Sequence, residues 1–338
     1  MNLSRNATLA EVGEFPLIAA ITDGLPLAND VGVGPGDDAA VLAIKDAVAA
    51  SVDMLVEGVD FRRDWSEARD VGRKAVAVNI ADLEAIGARA TGLLVGFSAP
   101  ADLTLGWVLD FADGLRQESQ AAGVSLLGGD VTKARDITIA VTAIGSLDGR
   151  KPVLRSGARP GDVVAVHGRL GWAAAGLAVL GRGFRSPRVL VEAHRAPQVS
   201  YGGGAAAARA GATSMIDVSD GLLADLGHVA QASGVVIDVS RDAFEVAEPL
   251  QAVAAATGSD PYRFILTGGE DHALAATFPT ADSVPEGWLL IGRVDAADHD
   301  QIGVLVDGAE WEALTGFDHF RAARAPQTPG STRPGVGV

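Results

Sequence analysis

Carboxylates recur at the ends of apolar runs in this sequence, usually beside glycine. They stand in Gly36-Asp37-Asp38, in Ser51-Val52-Asp53, at Asp82 within the stretch 80–88, in Leu127-Gly128-Gly129-Asp130 and in the stretch 216–221 with Asp217 and Asp220; Gly268-Gly269-Glu270-Asp271 is a close relative. Strand ends are where α/β proteins build sites, and glycine lets other groups approach the backbone closely. Taken singly, an acid after glycine is an ordinary turn residue or helix cap. Six such places are another matter, because a buried carboxylate without a partner costs several kcal/mol or shifts its pKa. The chain has only four lysines, Lys45, Lys74, Lys133 and Lys151, so ammonium groups cannot neutralise all these acids. Arg73, Arg155 and Arg169 lie near the motifs and can balance some of them. Divalent cations are the natural complement for the rest.

The donor set selects the cation. It is all oxygen, with no cysteine anywhere and no histidine at ligand spacing, which suits Mg, Ca or Mn rather than zinc or copper. No EF-hand loop is present, and Mg binds through a few carboxylates together with substrate phosphates. A ring of aspartates alone repels phosphate, at roughly 4 kcal/mol per contact near 4 Å with an effective dielectric of about 20. An Asp-rich pocket therefore holds a nucleotide only with cations between them. The chain has no G-x-x-x-x-G-K-[ST] loop and no protein-kinase motif set. Backbone N–H groups at Gly128–Asp130, Ser219 before a helix, and Arg155 are the candidate phosphate or base contacts.

The 338 residues predict two domains. A net charge of −16 with no basic patch argues against nucleic acid as a partner. The absence of cysteine excludes disulfides and thiolate chemistry and fits the cytoplasm. The first residues show no secretory h-region, and no apolar run reaches the length of a membrane span.

The elements that must position these acids follow from periodicity. Strands are predicted at 49–56, 91–99, 124–130 (ending in a glycine turn) and 136–147, where Ile137, Ile139 and Val141 point one way and Thr138, Ala140 and Thr142 the other. Helices are predicted at 67–87 and at 105–123, the second stopped by Gly123. In the first, Val71, Ala75, Val78, Asp82 and Ala85 share a face, which sets a carboxylate among apolar neighbours. A Gly-, Pro- and Arg-rich stretch at 148–161 marks the boundary between an N-terminal α/β domain (1–148) and a C-terminal α/β domain (149–320). The second series predicts strands at 162–168 and 215–218, helices at 171–181 and 222–233, and four further strands. The Pro-, Gly- and Arg-rich tail 321–338 is expected to be disordered.

Taken in order, nine motifs resemble the thiamine-monophosphate kinase family: GEFPLI (13–18), GDDAAV (36–41), SVDMLVEGVDF (51–61), KAVAVNIADLEAIGA (74–88), LLGGDVT (126–132), RSGARPGD (155–162), IDVSDGLLADLGHV (216–229), LTGGEDH (266–272) and GFDHF (316–320). The resemblance implies the two-domain ATP-binding fold of the aminoimidazole-ribonucleotide synthetase superfamily. It also implies a site in the cleft between the domains and a homodimer formed through the N-terminal sheets, with ATP as co-substrate and several Mg2+ ions. Asp38, Ser51, Val52 (through its carbonyl), Asp53, Asp82, Asp130, Asp217 and Asp220 match metal-ligand positions. Gly129, Asp130, Arg155 and Ser219 match ATP-contacting positions, and Asp60, Glu270 and Phe317 match positions facing thiamine phosphate. Phe317 offers an aromatic face to a cationic heterocycle.

Two departures fall on the substrate side. Asp60 stands where the family usually has His, so a donor has become an acceptor. The usual GGEDYE run reads GGEDHA here, with His272 and Ala273. The expected reaction is direct ATP-dependent phosphorylation of thiamine monophosphate to thiamine diphosphate. Asp130 and Asp217 are expected to matter most for turnover. No phosphoenzyme and no Asp–His dyad are expected, since the acceptor phosphate is already anionic. The alternatives are an ATP-dependent synthetase of the same superfamily, which would release inorganic phosphate, and a non-catalytic metal- or nucleotide-binding protein. Selenophosphate synthesis is disfavoured by the missing reactive cysteine.

Overall fold

The computed structural model describes residues 4–25, 27–36, 39–297 and 301–311. Asp38, Phe317 and the tail 321–338 lie outside the described residues. After two short helices, α1 (Leu9–Val12) and α2 (Glu14–Thr22), comes a small antiparallel pair, β1 (Val31–Val33) and β2 (Val41–Leu42). The first main layer is built from β3 (Val48–Val56), α3 (Ala68–Ala85), β4 (Arg89–Ala99), α4 (Leu105–Ala122), β5 (Ser125–Lys133) and β6 (Thr138–Ser146). Its sheet order is β3-β6-β4-β5, with β4 and β5 parallel and the other pairs antiparallel.

The alternation predicted for 136–147 sets the core. Ile137, Ile139, Val141 and Ala143 are buried beside Val71, Ala75, Phe111 and Leu115 of α3 and α4. The two helices touch through glycine. A Cβ on Gly72 would sit 2.1 Å from the Phe111 carbonyl, and one on Gly114 2.1 Å from the Arg69 carbonyl. Helix α4 starts on Thr104, whose side chain accepts the Trp107 N–H, and stops at Gly123 in the left-handed region (φ 67°). Among the described residues no helix covers the opposite sheet face, which exposes Val52 (63%), Met54 (50%) and Leu94 (37%).

The prediction that the strand at 124–130 ends in a glycine turn is corrected. Strand β5 runs straight through Gly128 and Gly129, with a register shift against β4 between Leu93 and Leu94. The glycine at 129 serves close packing rather than a turn, since a Cβ there would lie 1.9 Å from the Val95 carbonyl.

The second layer comprises β7 (Val163–His167), α5 (Trp172–Gly181), α6 (Arg188–Arg195), α7 (Gly203–Arg209), β8 (Ser214–Val218), α8 (Leu222–Ser233), β9 (Val235–Val239), α9 (Glu248–Thr257), α10 (Pro261–Thr267), β10 (Ala273–Phe278), β11 (Leu289–Ala296) and β12 (Gly303–Val306). Six strands pair in the order β12-β9-β11-β7-β10-β8, antiparallel except for β12 with β9. Helices α6, α7, α9 and α10 fill stretches where the sequence reading assigned no element. The two layers meet on α3. Its Glu84 carboxylate accepts the N–H groups of Gly202 (2.7 Å) and Gly204 (2.8 Å) at the start of α7, where a Cβ on Gly204 would lie 1.8 Å from the Glu84 carbonyl. Among the described residues no helix is long and apolar enough to cross a membrane.

Candidate active site

Among the described residues strand β3 is an edge strand paired with β6 alone, so some of its N–H groups need partners outside the sheet. Asn79 of α3 supplies one: its Oδ1 accepts the Asp53 N–H at 2.9 Å, while its own amide donates to the Ala75 carbonyl at 2.9 Å. One turn further along α3, Asp82 Oδ2 accepts the Ser51 hydroxyl at 2.5 Å. Helix α3 therefore holds Ser51, Asp53 and Asp82 together. Val52, between them, turns its side chain to the open face.

Asp217 enters from the second layer near the C-terminal end of β8, with only 7% of its side chain exposed. Its Oδ2 lies 3.1 Å from His272 Nδ1. Beyond β8, Asp225 reaches back from α8 to accept the N–H groups of Asp220 and Gly221, both at 3.1 Å, and so closes the turn that carries Ser219 and Asp220.

The electrostatics record this crowding. Desolvation pushes the Asp82 carboxyl up to about 6, and the charges of Asp217 and Asp53 add to the rise, against the opposing Ser51 hydrogen bond. Asp225 is pushed to about 7 by burial, then by Asp217 and Asp220. Burial works against protonation of His272, but the hydrogen bond and charge of Asp217 outweigh it and raise the ring's pKa. The acids of both layers thus sense one another across the cleft. Among the described residues, no three Asp, Glu, His or Cys side chains are already gathered closely enough to hold a metal ion by themselves.

A second group lies beside the acids. The Lys74 ammonium, on α3 and 3% exposed, donates to Glu270 Oε2 at 2.5 Å and to the Asp60 carbonyl at 2.9 Å. Desolvation opposes ionisation of Glu270, yet Lys74 and the His272 ring hold it down at about 2. Glu270 keeps 43% side-chain exposure at the cleft. Asp60 spends one carboxylate oxygen on the Val56 N–H (2.7 Å), which ties off the turn after β3.

The expected site residues do not all meet within one chain. Asp130 lies on β5, at the sheet edge opposite β3, three strand spacings or roughly 14 Å from Asp53. The register also sets Asp130 in the row of Met54, Ala140 and Gly96, whereas Gly129 shares the row of Val95, Val141 and Asp53. Asp130 and Asp53 therefore leave opposite faces of the sheet. Arg155 is displaced as well. Its carbonyl accepts the Ser233 hydroxyl at the far end of α8, a 12-residue helix spanning about 18 Å from the Ser219 turn. Sequence reasoning missed Lys74, Asn79, Asp225 and the Asp217–His272 pair. The first three sit inside helical patterns where a polar residue reads as solvated. The pair depends on β8 and β10 lying side by side.

Comparison with known proteins adds a second line. Residues 36–147 match the AIR synthase related protein N-terminal domain, and 159–304 the corresponding C-terminal domain. The chain is 48% identical to the thiamine-monophosphate kinase of Mycobacterium tuberculosis, over 94% of each chain. It is 40% identical to that of Corynebacterium glutamicum, over 90% of this chain and 93% of the other. A solved structure of AaThiL complexed with AMPPCP and TMP superposes with a TM-score of 0.74 at 30% identity, covering 94% of this chain and all of that one. Hydrogenase maturation protein HypE in complex with ATP, at 20% identity and a TM-score of 0.67, shares the fold.

Proposed function

The chain belongs to the thiamine-monophosphate kinase family, and from that premise we propose how its residues carry out the ATP-dependent phosphorylation of thiamine monophosphate to thiamine diphosphate. The observation that carries the reading is the convergence of Ser51, Asp53 and Asp82 with Asp217, with Asp220 on the adjoining turn. These oxygen donors suit Mg2+, which keeps several waters and takes phosphate oxygens as ligands, so it needs no complete protein cage. The raised Asp82 supports this fit, because a cation offsets the desolvation that chiefly raises it and the repulsion from Asp217 and Asp53 that adds to it. When bound, Mg2+ supplies charge neutralisation between two anionic substrates.

The remaining work belongs to the protein. Lys74 keeps Glu270 ionised at the cleft, where its carboxylate faces the cationic heterocycle of thiamine monophosphate. Asp60 orders the turn beside it rather than gripping phosphate. The acceptor is a phosphate already anionic near neutral pH, so transfer is direct and the Asp217–His272 pair is not needed as a general base. Ser219, before the start of α8, contacts the nucleotide. Asp130, Gly129 and Arg155 belong to the nucleotide as well, and their distance from the acids is bridged by homodimerisation through the N-terminal sheets. The exposed Val52, Met54 and Leu94 support that contact. We place the domain division at 148/149, and a cytoplasmic site of action accords with the absence of cysteine and the use of ATP.

The test is product identity. With γ-labelled ATP, Mg2+ and thiamine monophosphate, label must appear in thiamine diphosphate and none on the protein. Release of inorganic phosphate alone would assign a synthetase, and label bound covalently to the chain would refute direct transfer.

A further inference from the structure

We infer that His272 is a positioning residue for Asp217, fixing which carboxylate oxygen faces the cleft. The two side chains are almost closed off from solvent, at 6% and 7% exposure, and His272 Nδ1 lies 3.1 Å from Asp217 Oδ2. A carboxylate oxygen accepts, so Nδ1 carries the proton. Among the described residues no other side-chain hydrogen bond reaches the Asp217 carboxylate, which leaves Oδ1 for a ligand.

The backbone is arranged to deliver this ring. His272 and Glu270 are both non-glycine residues in the left-handed region, at φ 51° and 71°. Such conformations persist only where the surroundings impose them. The imposing contacts are present: the Glu270 N–H donates to the Ser219 carbonyl at 2.8 Å, and the His272 N–H to the Val218 carbonyl at 2.9 Å. Between them, the Asp271 carboxylate is clamped by the N–H groups of Gly171 (2.6 Å) and Ala173 (2.9 Å). The turn is thus docked on the end of β8 on one side and on the start of α5 on the other, with His272 held over Asp217. Without the ring, the carboxylate is free to rotate beside the like charges of Asp82 and Asp225. Partners that orient a metal-ligating group act in this way.

The inference rests on the assignment of Asp217 to a divalent cation, and the experiment separates the two. Full-length protein with the ATP analogue AMPPCP is titrated with Mn2+, and bound metal is read by electron paramagnetic resonance alongside thermal melts and steady-state kinetics. His272→Gly relaxes the left-handed backbone and removes the donor. His272→Asn tolerates the same φ and keeps an N–H near the Nδ1 position. His272→Gly is expected to weaken Mn2+ binding and lower kcat by about 10–100-fold, with KM for thiamine monophosphate little changed. His272→Asn is expected to restore most of both. Wild-type Mn2+ affinity in His272→Gly, or equal losses in the two variants whatever their melting temperatures, overturns the inference. Wild-type Mn2+ binding and turnover in Asp217→Asn would instead overturn the assignment beneath it.

Discussion

Replacing Asp82 by Asn should make the cation-free protein more stable while disabling it. In the folded chain desolvation, with help from Asp217 and Asp53, moves the Asp82 carboxyl from 3.8 to about 6. A folded carboxyl that holds its proton more tightly than the unfolded one favours folding at low pH and opposes it at high pH. The penalty is absent below pH 3.8, grows as pH rises from 3.8 towards 6, and is complete above that. At about 1.4 kcal/mol per pH unit it reaches ~3 kcal/mol, and solvent screening of this half-buried group reduces it to ~1–2 kcal/mol. Asn keeps an oxygen to accept the Ser51 hydroxyl, so the hydrogen bond survives while the charge goes. Melting in the presence of a chelator at pH 8 should therefore rise by roughly 2–4 °C in the variant, and the advantage should shrink on moving to pH 5. Added Mg2+ should reverse the order, stabilising the wild type more than the variant, and turnover of Asp82→Asn should fall by orders of magnitude. A variant that is less stable than wild type at pH 8, or equally stabilised at both pH values, would refute the claim that burial, with neighbouring negative charge, raises this group. So would equal gains from Mg2+ in the two proteins.

Two further outcomes follow from the same geometry. Asp130 lies at the sheet edge away from Asp53, whereas Asp82 senses both Asp53 and Asp217, so mixing Asp130→Asn chains with Asp217→Asn chains should regain activity that neither has alone, in proportion to the mixed dimers formed; a mixture as inactive as its components would deny a shared site. Lys74→Met keeps much of the apolar stem and removes the ammonium that holds Glu270 ionised, so KM for thiamine monophosphate should rise about tenfold or more, while KM for ATP changes little; equal changes in both would point to a general loss of cleft structure.

How far the site could be read in advance depended on the range of each interaction. The strands at 49–56 and 136–147 and the helices at 67–87 and 105–123 are set by short periodicities and local caps, so they were legible. The glycine pair at 128–129 was not, because glycine at a turn and glycine under a neighbouring carbonyl look identical without β4 beside it. Lys74 was visible only as a scarce lysine. Its role arises from Glu270, 196 positions away.

The amino-acid order alone determined the inventory: oxygen ligands without cysteine, a shortage of lysine to balance them, alternating and helical apolar patterns, and motifs in the family's sequence. Those properties reside in side-chain chemistry and in spacings of a few residues. Tertiary structure decided which acids share space. Strand order put Asp130 on the edge away from Asp53, and the pairing of β8 with β10 joined Asp217 to His272. Electrostatic coupling falls with distance through space, and distance through space is set only when the sheets close.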